Sequence, residues 1–241
     1  MLVHILDRER LLLKKGHNVK TYPLNPNRSQ SGFSLLELLI GMTVTLVIMS
    51  IASTLLATSF NVRNREHSRT DSIADVQRAL NIMSRELAIG GYGFNDADNG
   101  LVVGDCDGST IRVRSNLNRF SSGSSTIESS GEDVKYLVDS TNGQNYLVRH
   151  DRLAAAGTNQ NTVLANRIDQ MEIIYWGPDN TALNVAGDPT QVANAVGVRI
   201  TVTANLAAVG TPGSPGYQAA TPIQLTSDVA LRNKSQNLAT Y

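Results

Sequence analysis

The longest apolar stretch in the chain covers residues 33–60, and Glu37 is its only charged residue. Leucine, isoleucine, valine and methionine dominate the stretch, proline is absent from it, and Gly41 is the only residue in it that strongly weakens a helix. About 20 apolar residues are enough to cross a bilayer as a helix. Residues 33–60 therefore predict a helix that spans a membrane or lies in an apolar core.

Helical spacing continues past this stretch, although the chain becomes polar. Apolar residues recur every three or four positions and form one stripe, which consists of Ile73, Val76, Leu80, Met83 and Leu87. Nine charged residues lie outside this stripe, so residues 61–91 are predicted to form an amphipathic helix that packs on one side. A coiled coil is the alternative, but the stripe covers only about two heptads. Gly90 and Gly91 are expected to end the helix, as glycine commonly does.

Residues 92–241 contain short segments in which apolar and polar residues alternate, a pattern typical of β-strands. The predicted strands are residues 109–114, 134–138, 146–149, 168–176, 196–204 and 223–231. Between the second and third of these, Asn142 and Gly143 are the turn signal of a hairpin. Segments 115–131, 177–195 and 209–221 are rich in Ser, Gly or Pro and are expected to be loops. The prediction is an α+β fold in which the amphipathic half of the helix packs on an antiparallel β-sheet head.

The charge of the chain is unevenly distributed. Residues 1–32 hold six of the 21 basic and two of the 21 acidic side chains, which leaves residues 33–241 with a formal net charge of −4. A positive N-terminal segment before an apolar helix is expected to remain in the cytoplasm. The rest of the chain is mildly acidic and the whole sequence is only 5% aromatic, so the composition gives no support for a general nucleic-acid-binding role, for which a basic face and a stacking surface would be expected.

The residues at the start of the apolar stretch form a specific pattern. Gly32 is followed by Phe33 and a short apolar run, in which Glu37 is the fifth residue counted from Phe33. This pattern resembles the class III signal of type IV prepilins. An ordinary secretory signal is instead cleaved after its apolar core, and no clear A-x-A pattern closes this one. A plain signal anchor that carries the pattern by chance is the alternative.

The resemblance to prepilins implies roles for these three residues. A membrane prepilin peptidase would cut after Gly32, remove residues 1–32 as a leader, and methylate the new α-amine of Phe33. Glu37 would pair with the N-terminal amine of a neighbouring subunit during assembly. A carboxylate at bilayer depth costs roughly 2.5–3.5 kcal/mol, which argues that Glu37 has a function. The alternative is a Glu37 close enough to the interface for its carboxylate to reach water.

Later segments resemble a narrower group, the minor pilins of the PilW type. The segments that carry this resemblance are residues 83–93, which include Gly91-Tyr92, and residues 136–149, 168–171, 196–200 and 229–233. The resemblance implies a subunit at or near the tip of a type IV pilus that helps to initiate assembly. Its implied partners are the prepilin peptidase/N-methyltransferase, other minor and major pilins, and the assembly platform of the inner membrane. Its implied location is the inner membrane, as a single-pass protein with a cytoplasmic N-terminus, and then the filament.

Two other functions remain open at this point. The J pseudopilin of type II secretion has a similar order of elements, and the genes that neighbour this one would distinguish it from a pilus component. The head, residues 92–241, could also be a module that binds DNA or a surface ligand. No HExxH, G-x-S-x-G, phosphate-loop or dinucleotide motif is present in the sequence, so an enzyme is not expected.

Four acidic residues in two short loops are weak candidates for a calcium site: Asp96, Asp98, Asp105 and Asp107. They place oxygen ligands at short spacing, as calcium sites do, but neither loop has the twelve-residue pattern that ends in Glu. Ordinary turns capped by Asp or Asn are the alternative.

Cys106, the only cysteine, is expected to be a loose or partly buried thiol. Tyr175 and Trp176 are expected to pack in the core or at a strand edge.

Overall fold

The computed structural model describes residues 32–94, 98–119, 123, 126–141, 143–155, 157 and 160–234. The chain divides into two units at the junction between Ser50 and Ile51. Apart from Gly32, the predicted leader lies outside the described residues. The first unit contains the beginning of one long helix, and the second contains the rest of that helix and the described strands.

Helix α1 runs from Leu35 to Ala88 and confirms the predicted helix to within a few residues at each end. It begins after Ser34, whose hydroxyl accepts a hydrogen bond from the Leu36 N–H at 3.3 Å, an N-cap interaction. It ends at the predicted glycines, where Gly91 has a φ of 77° that favours glycine. A Cβ atom at Gly90 would lie 2.7 Å from Val113 Cγ2. Glycine therefore both ends α1 and allows its close packing.

Four antiparallel strands form the first sheet in the order β1-β2-β3-β4: β1 Ile111–Arg114, β2 Asp133–Thr141, β3 Gln144–Asp151 and β4 Asn161–Asn166. Thr141 pairs with Gln144, so β2 and β3 form the predicted hairpin with a two-residue turn. Gly143 in this turn has a φ of 73°, and Asn142 lies outside the described residues. Strand β4 was not predicted because its short sequence lacks a clear alternation of apolar and polar residues.

Three antiparallel strands form the second sheet in the order β5-β6-β7: β5 Ile168–Trp176, β6 Gly197–Leu206 and β7 Thr221–Ala230. All three were predicted to within two residues, and the α+β fold class is confirmed. The division of the strands between two sheets was not predicted. Arg167 alone separates β4 from β5, and its φ of 58° is a left-handed conformation that turns the chain sharply.

The predicted apolar stripe of α1 is the centre of the core. Val76, Leu80, Met83 and Leu87 are at most 1% exposed, whereas Ile73 is half-buried at the edge of the stripe. Each such buried side chain stabilises the fold by about 1.5–3 kcal/mol relative to its exposed state. The same apolar cluster contains residues of both sheets, among them Ile111, Tyr136, Leu147, Met171 and Ile200.

A polar contact fixes the position of α1 against the first sheet. The Tyr136 hydroxyl of β2 donates a hydrogen bond to the Glu86 carboxylate of α1, and Arg149 Nε of β3 donates to the same carboxylate at 3.0 Å. Burial, and then the negative charge of Glu86, raises the pKa of Tyr136, so that its hydroxyl stays protonated and donates. Hydrogen bonds to charged groups are about twice as strong as neutral ones. This contact therefore sets the rotation of α1 relative to β2 and β3.

A buried carboxylate joins two described parts of the loop before β2. Glu132 is 1% exposed. Its Oε1 accepts the N–H groups of Leu117 and Asn118 at 2.8 and 3.2 Å, and its Oε2 accepts those of Glu128 and Ser129, both at 2.9 Å. Burial by itself raises the pKa of Glu132, but the four backbone N–H groups outweigh it and hold the pKa below its ordinary value. The ionised carboxylate thus binds both ends of the loop.

Replacement of this carboxylate by an amide should destabilise the head. In Glu132→Gln an NH₂ group replaces one acceptor oxygen, so two backbone N–H groups lose their acceptor at a cost of about 1–3 kcal/mol. Urea unfolding at neutral pH measures this loss, and Glu172→Gln, at an exposed position of β5, is the control.

The effect of Glu132→Gln should also depend on pH. Because the folded pKa of Glu132 lies below its ordinary value, its contribution is complete above that ordinary value and is lost as the pH falls through the folded pKa. The difference in stability between the wild type and the variant should therefore shrink as the solution becomes acidic. A difference that stays constant through the carboxylate range would contradict this role of Glu132.

Candidate functional site

The predicted cleavage point lies just before the helix. Residues 32–34 are not helical and are exposed, and Phe33 is 83% exposed. Nothing lies within 4 Å of the place where a Cβ atom of Gly32 would stand. A protease needs a peptide bond that is free of helical hydrogen bonds and open on at least one side. The bond between Gly32 and Phe33 satisfies both conditions.

Glu37 lies in the first turn of α1. With Ser34 as N-cap, Glu37 occupies the third helical position, where a carboxylate interacts favourably with the helix dipole and the free N–H groups of the first turn. Its side chain is exposed, as are those of its neighbours. The helix therefore presents one carboxylate close to the amine that a cut after Gly32 would create.

The first half of α1 is apolar on every side and exposed. Residues 32–57 are all exposed, and even consecutive large side chains remain so: Leu38, Leu39 and Ile40 are 52–56% exposed. The helix is long and apolar enough to cross a membrane, and no part of its most apolar 18-residue segment is buried. A helix that is apolar all round requires an apolar environment, which the described residues do not supply.

The threonine hydroxyl groups of this half of α1 are satisfied within the helix. Thr43, Thr45 and Thr54 donate hydrogen bonds at 2.8–2.9 Å to backbone carbonyls three residues earlier. Thr58 and Ser59 donate at 2.9 Å to carbonyls four residues earlier. These bonds give the five hydroxyl groups acceptors within the helix itself, which suits a helix surrounded by lipid or by other helices. The sequence pattern alone did not indicate them.

The candidate calcium ligands have other partners. Asp105 binds Arg112 and Lys135, and these hydrogen bonds, that of Arg112 first, lower the pKa of its carboxyl. Asp107 accepts the N–H groups of Ser109 and Thr110 at 2.6 and 2.7 Å in a tight turn.

Asp98 accepts the Gly100 N–H at 2.8 Å, and Asp96 lies outside the described residues. Among the residues that the structure describes, no group of three or more His, Cys, Asp or Glu side chains could hold a metal ion. Calcium binding remains a prediction.

Cys106 is more deeply placed than the sequence suggested. It is 3% exposed, and its Sγ accepts the Arg112 N–H at 3.3 Å. Burial raises the pKa of the Cys106 thiol, so it is protonated and unreactive at neutral pH. The neighbouring Tyr175 is 1% exposed and donates its hydroxyl to the Asp107 carbonyl at 3.1 Å, which confirms its place in the core.

Trp176 lies at the end of β5 and is half-buried. The guanidinium of Arg199 stands 5.4 Å from the centre of its ring, within cation–π distance. Arg199 in turn forms a two-point ion pair with Asp228, with N–O distances of 2.6 and 3.0 Å. Trp176 thus packs at a strand edge, as predicted.

Comparison with known proteins gives one finding for the N-terminal segment. Residues 27–53 match the model of the prokaryotic N-terminal methylation motif. The match covers Gly32, Phe33 and Glu37 and extends into the exposed apolar half of α1. No curated protein matches the chain. The motif, together with the long helix that begins within it, supports a type IV prepilin-like protein, with an N-terminal segment of the kind that prepilin peptidase processes.

Proposed function

We propose that the protein is a minor pilin that prepilin peptidase cuts after Gly32, that is N-methylated on Phe33, and that enters a type IV pilus at or near its tip. In this role it helps to initiate pilus assembly. The observation that carries the proposal is the exposed apolar half of α1, which bears a single carboxylate, Glu37, directly after an accessible cleavage point. The matched methylation motif covers the same residues.

The apolar half of α1 has two successive environments in this proposal. Before assembly it spans the inner membrane with the N-terminus in the cytoplasm, where lipid chains surround it. In the filament, the apolar helices of neighbouring subunits replace the lipid. Transfer between these environments requires no new burial of polar groups, because the threonine hydroxyls are already bonded within the helix. Glu37 is the exception, and it needs a partner in either environment.

The amine of Phe33 is the partner that we propose for Glu37. Cleavage creates this positive charge four residues from Glu37, at the same end of the helix. A pair between the Glu37 carboxylate of one subunit and the Phe33 amine of a neighbour would remove two unpaired charges from an apolar environment. It would also set the axial register between the two helices.

The head supports an accessory role. It spans residues 92–241, and long loops separate its strands, among them residues 177–195 and 207–220. A subunit that repeats many times along a filament must present a surface compatible with many identical neighbours. A large head with long loops is better suited to a few specific contacts with other minor pilins at one end of the filament.

The mature N-terminus should be N-methylated Phe33. N-terminal mass spectrometry of the protein extracted from membranes of the native host measures it directly. The chain recovered from cells that lack the prepilin peptidase is the control, and it should retain its leader. A mature protein that begins at Met1, or after a cut near Ala57, would contradict the proposal.

Glu37→Ala should separate processing from assembly. The variant should be cleaved and methylated almost as well as the wild type, because the Gly32–Phe33 bond is unchanged. Its amount in sheared filaments should fall at least about tenfold, the effect of a loss of about 1.4 kcal/mol. Immunoblots of membrane and filament fractions measure both steps. Thr45→Ala, which removes a hydroxyl bonded within the same helix, is the control; equal losses in both variants would argue against a pairing role.

A further inference from the structure

Arg65 is a buried cation, and the described part of the chain provides no anion to match it. It lies on α1 shortly after the apolar half and is 8% exposed. Its guanidinium donates hydrogen bonds to the Ala207 carbonyl at 3.0 Å and to the Thr221 hydroxyl. None of the carboxylate oxygens that the structure describes lies within ion-pairing distance of it. A buried charge is costly unless it is paired, so the Arg65 site is suited to an anion.

The cleft beside Arg65 carries further donors. It has a volume of about 300 Å³, roughly ten times the share of one water molecule in the liquid. Arg69, Gln218 and Thr221 line it together with Arg65, and Glu66 is the only carboxylate in its lining. Two guanidinium groups against one carboxylate give the cleft a net positive charge. Guanidinium groups match the geometry of phosphate oxygens with paired hydrogen bonds.

The cleft lies next to the end of the apolar half of α1. The loop between β6 and β7 rests directly on this part of the helix, since a Cβ atom at Gly216 would lie only 2.8 Å from the Thr58 Cα atom. A Cβ atom at Gly210 would lie 3.3 Å from Asn61 Nδ2. Arg65 follows Phe60, the last residue of the apolar stretch, by five positions, or about 7.5 Å along the helix.

The geometry of a helix directs Arg65 towards the apolar half. Side chains of an α-helix tilt towards its N-terminus, so Arg65 reaches back from its own turn in the direction of Phe60. If residues up to Phe60 lie in lipid, the cleft stands at the depth of the headgroups, where phosphate groups are concentrated. A carboxylate from a neighbouring subunit is the other anion that could reach it, but nothing in the cleft favours that source.

We propose that the cleft of Arg65, Arg69, Gln218 and Thr221 binds the phosphate of an anionic phospholipid while the subunit is anchored in the membrane; this rests on the proposed membrane-spanning role of residues 33–60. The bound headgroup neutralises Arg65 and holds the β6–β7 loop and α1 together at the membrane surface. Release of the lipid then accompanies the transfer of the subunit from the membrane to the filament.

The test compares two lipids and two arginine variants. The full-length chain is reconstituted in nanodiscs of phosphatidylglycerol, which is anionic, or of phosphatidylcholine, whose ammonium group balances its phosphate. Thermal unfolding is followed by the fluorescence of Trp176, the only tryptophan in the chain. Arg69→Gln removes a donor of the cleft. Arg63→Gln is the matched control, because it removes the same charge at an exposed position outside the cleft, where Arg63 contacts His67.

The wild type should have a Tm about 2–4 °C higher in phosphatidylglycerol than in phosphatidylcholine, as expected when one ligand stabilises a domain of this size. Arg69→Gln should lose most of this increment, and Arg63→Gln should keep it. Equal Tm values in the two lipids, or equal losses in the two variants, would overturn the proposal. An equal rise on addition of inorganic phosphate to phosphatidylcholine nanodiscs would assign the cleft to free phosphate instead of lipid, and would overturn it too.

The same samples separate this proposal from the proposed function. A chain that does not co-elute with the nanodiscs contradicts the membrane-spanning role itself. A chain that co-elutes but shows no difference between lipids contradicts only the phosphate site. Because Arg65 and Arg69 lie downstream of Gly32, the outcome does not depend on whether the leader has been removed.

Discussion

The need of α1 for two different environments is the constraint on which the rest of the structure depends. Residues 32–57 expose apolar side chains in every direction, whereas Val76 and Leu87 of the same helix are fully buried in the head. Water satisfies neither part. The first part needs lipid or other helices around it. The second part needs the two sheets, and the sheets in turn need this part of α1 to complete their hydrophobic core. One continuous helix therefore carries both the part that needs an apolar environment outside the described residues and the part that completes the core of the head.

Charged groups on α1 show how the head is attached to this helix. Glu86 is half-buried and is balanced by Arg149 and by the hydroxyl of Tyr136, so its charge is satisfied within the chain. Arg65, about six turns earlier, has hydrogen-bond acceptors but no counter-charge among the described residues. The contrast indicates that the attachment near the core is complete in the isolated subunit. The attachment near the apolar half has room for a further partner.

The loops of the head are ordered by polar contacts more than by apolar packing. The carboxylate of Glu132 accepts hydrogen bonds from four backbone N–H groups in two parts of one loop. Arg112 forms ion pairs with both Asp105 and Asp133. Asp98, Asp105 and Asp107, the candidate calcium ligands among the described residues, are used in this way, in ion pairs and tight turns. Cys106 lies beneath the same loops, so its chemistry is suppressed by burial. The described parts of these loops are thus held by polar contacts without disulfides.

The sequence by itself determined the features that depend on near neighbours along the chain. These are the cleavage motif around Gly32, the apolar and amphipathic halves of α1, its end at Gly90, and the strands with a clear alternation. Only the tertiary structure decided the strand β4, the turn at Arg167 that divides the sheets, and the surroundings of Glu132 and Arg65. Arg65 meets partners 142 and 156 positions away. Local periodicity carries no information about such contacts, because they arise only when distant segments pack against each other.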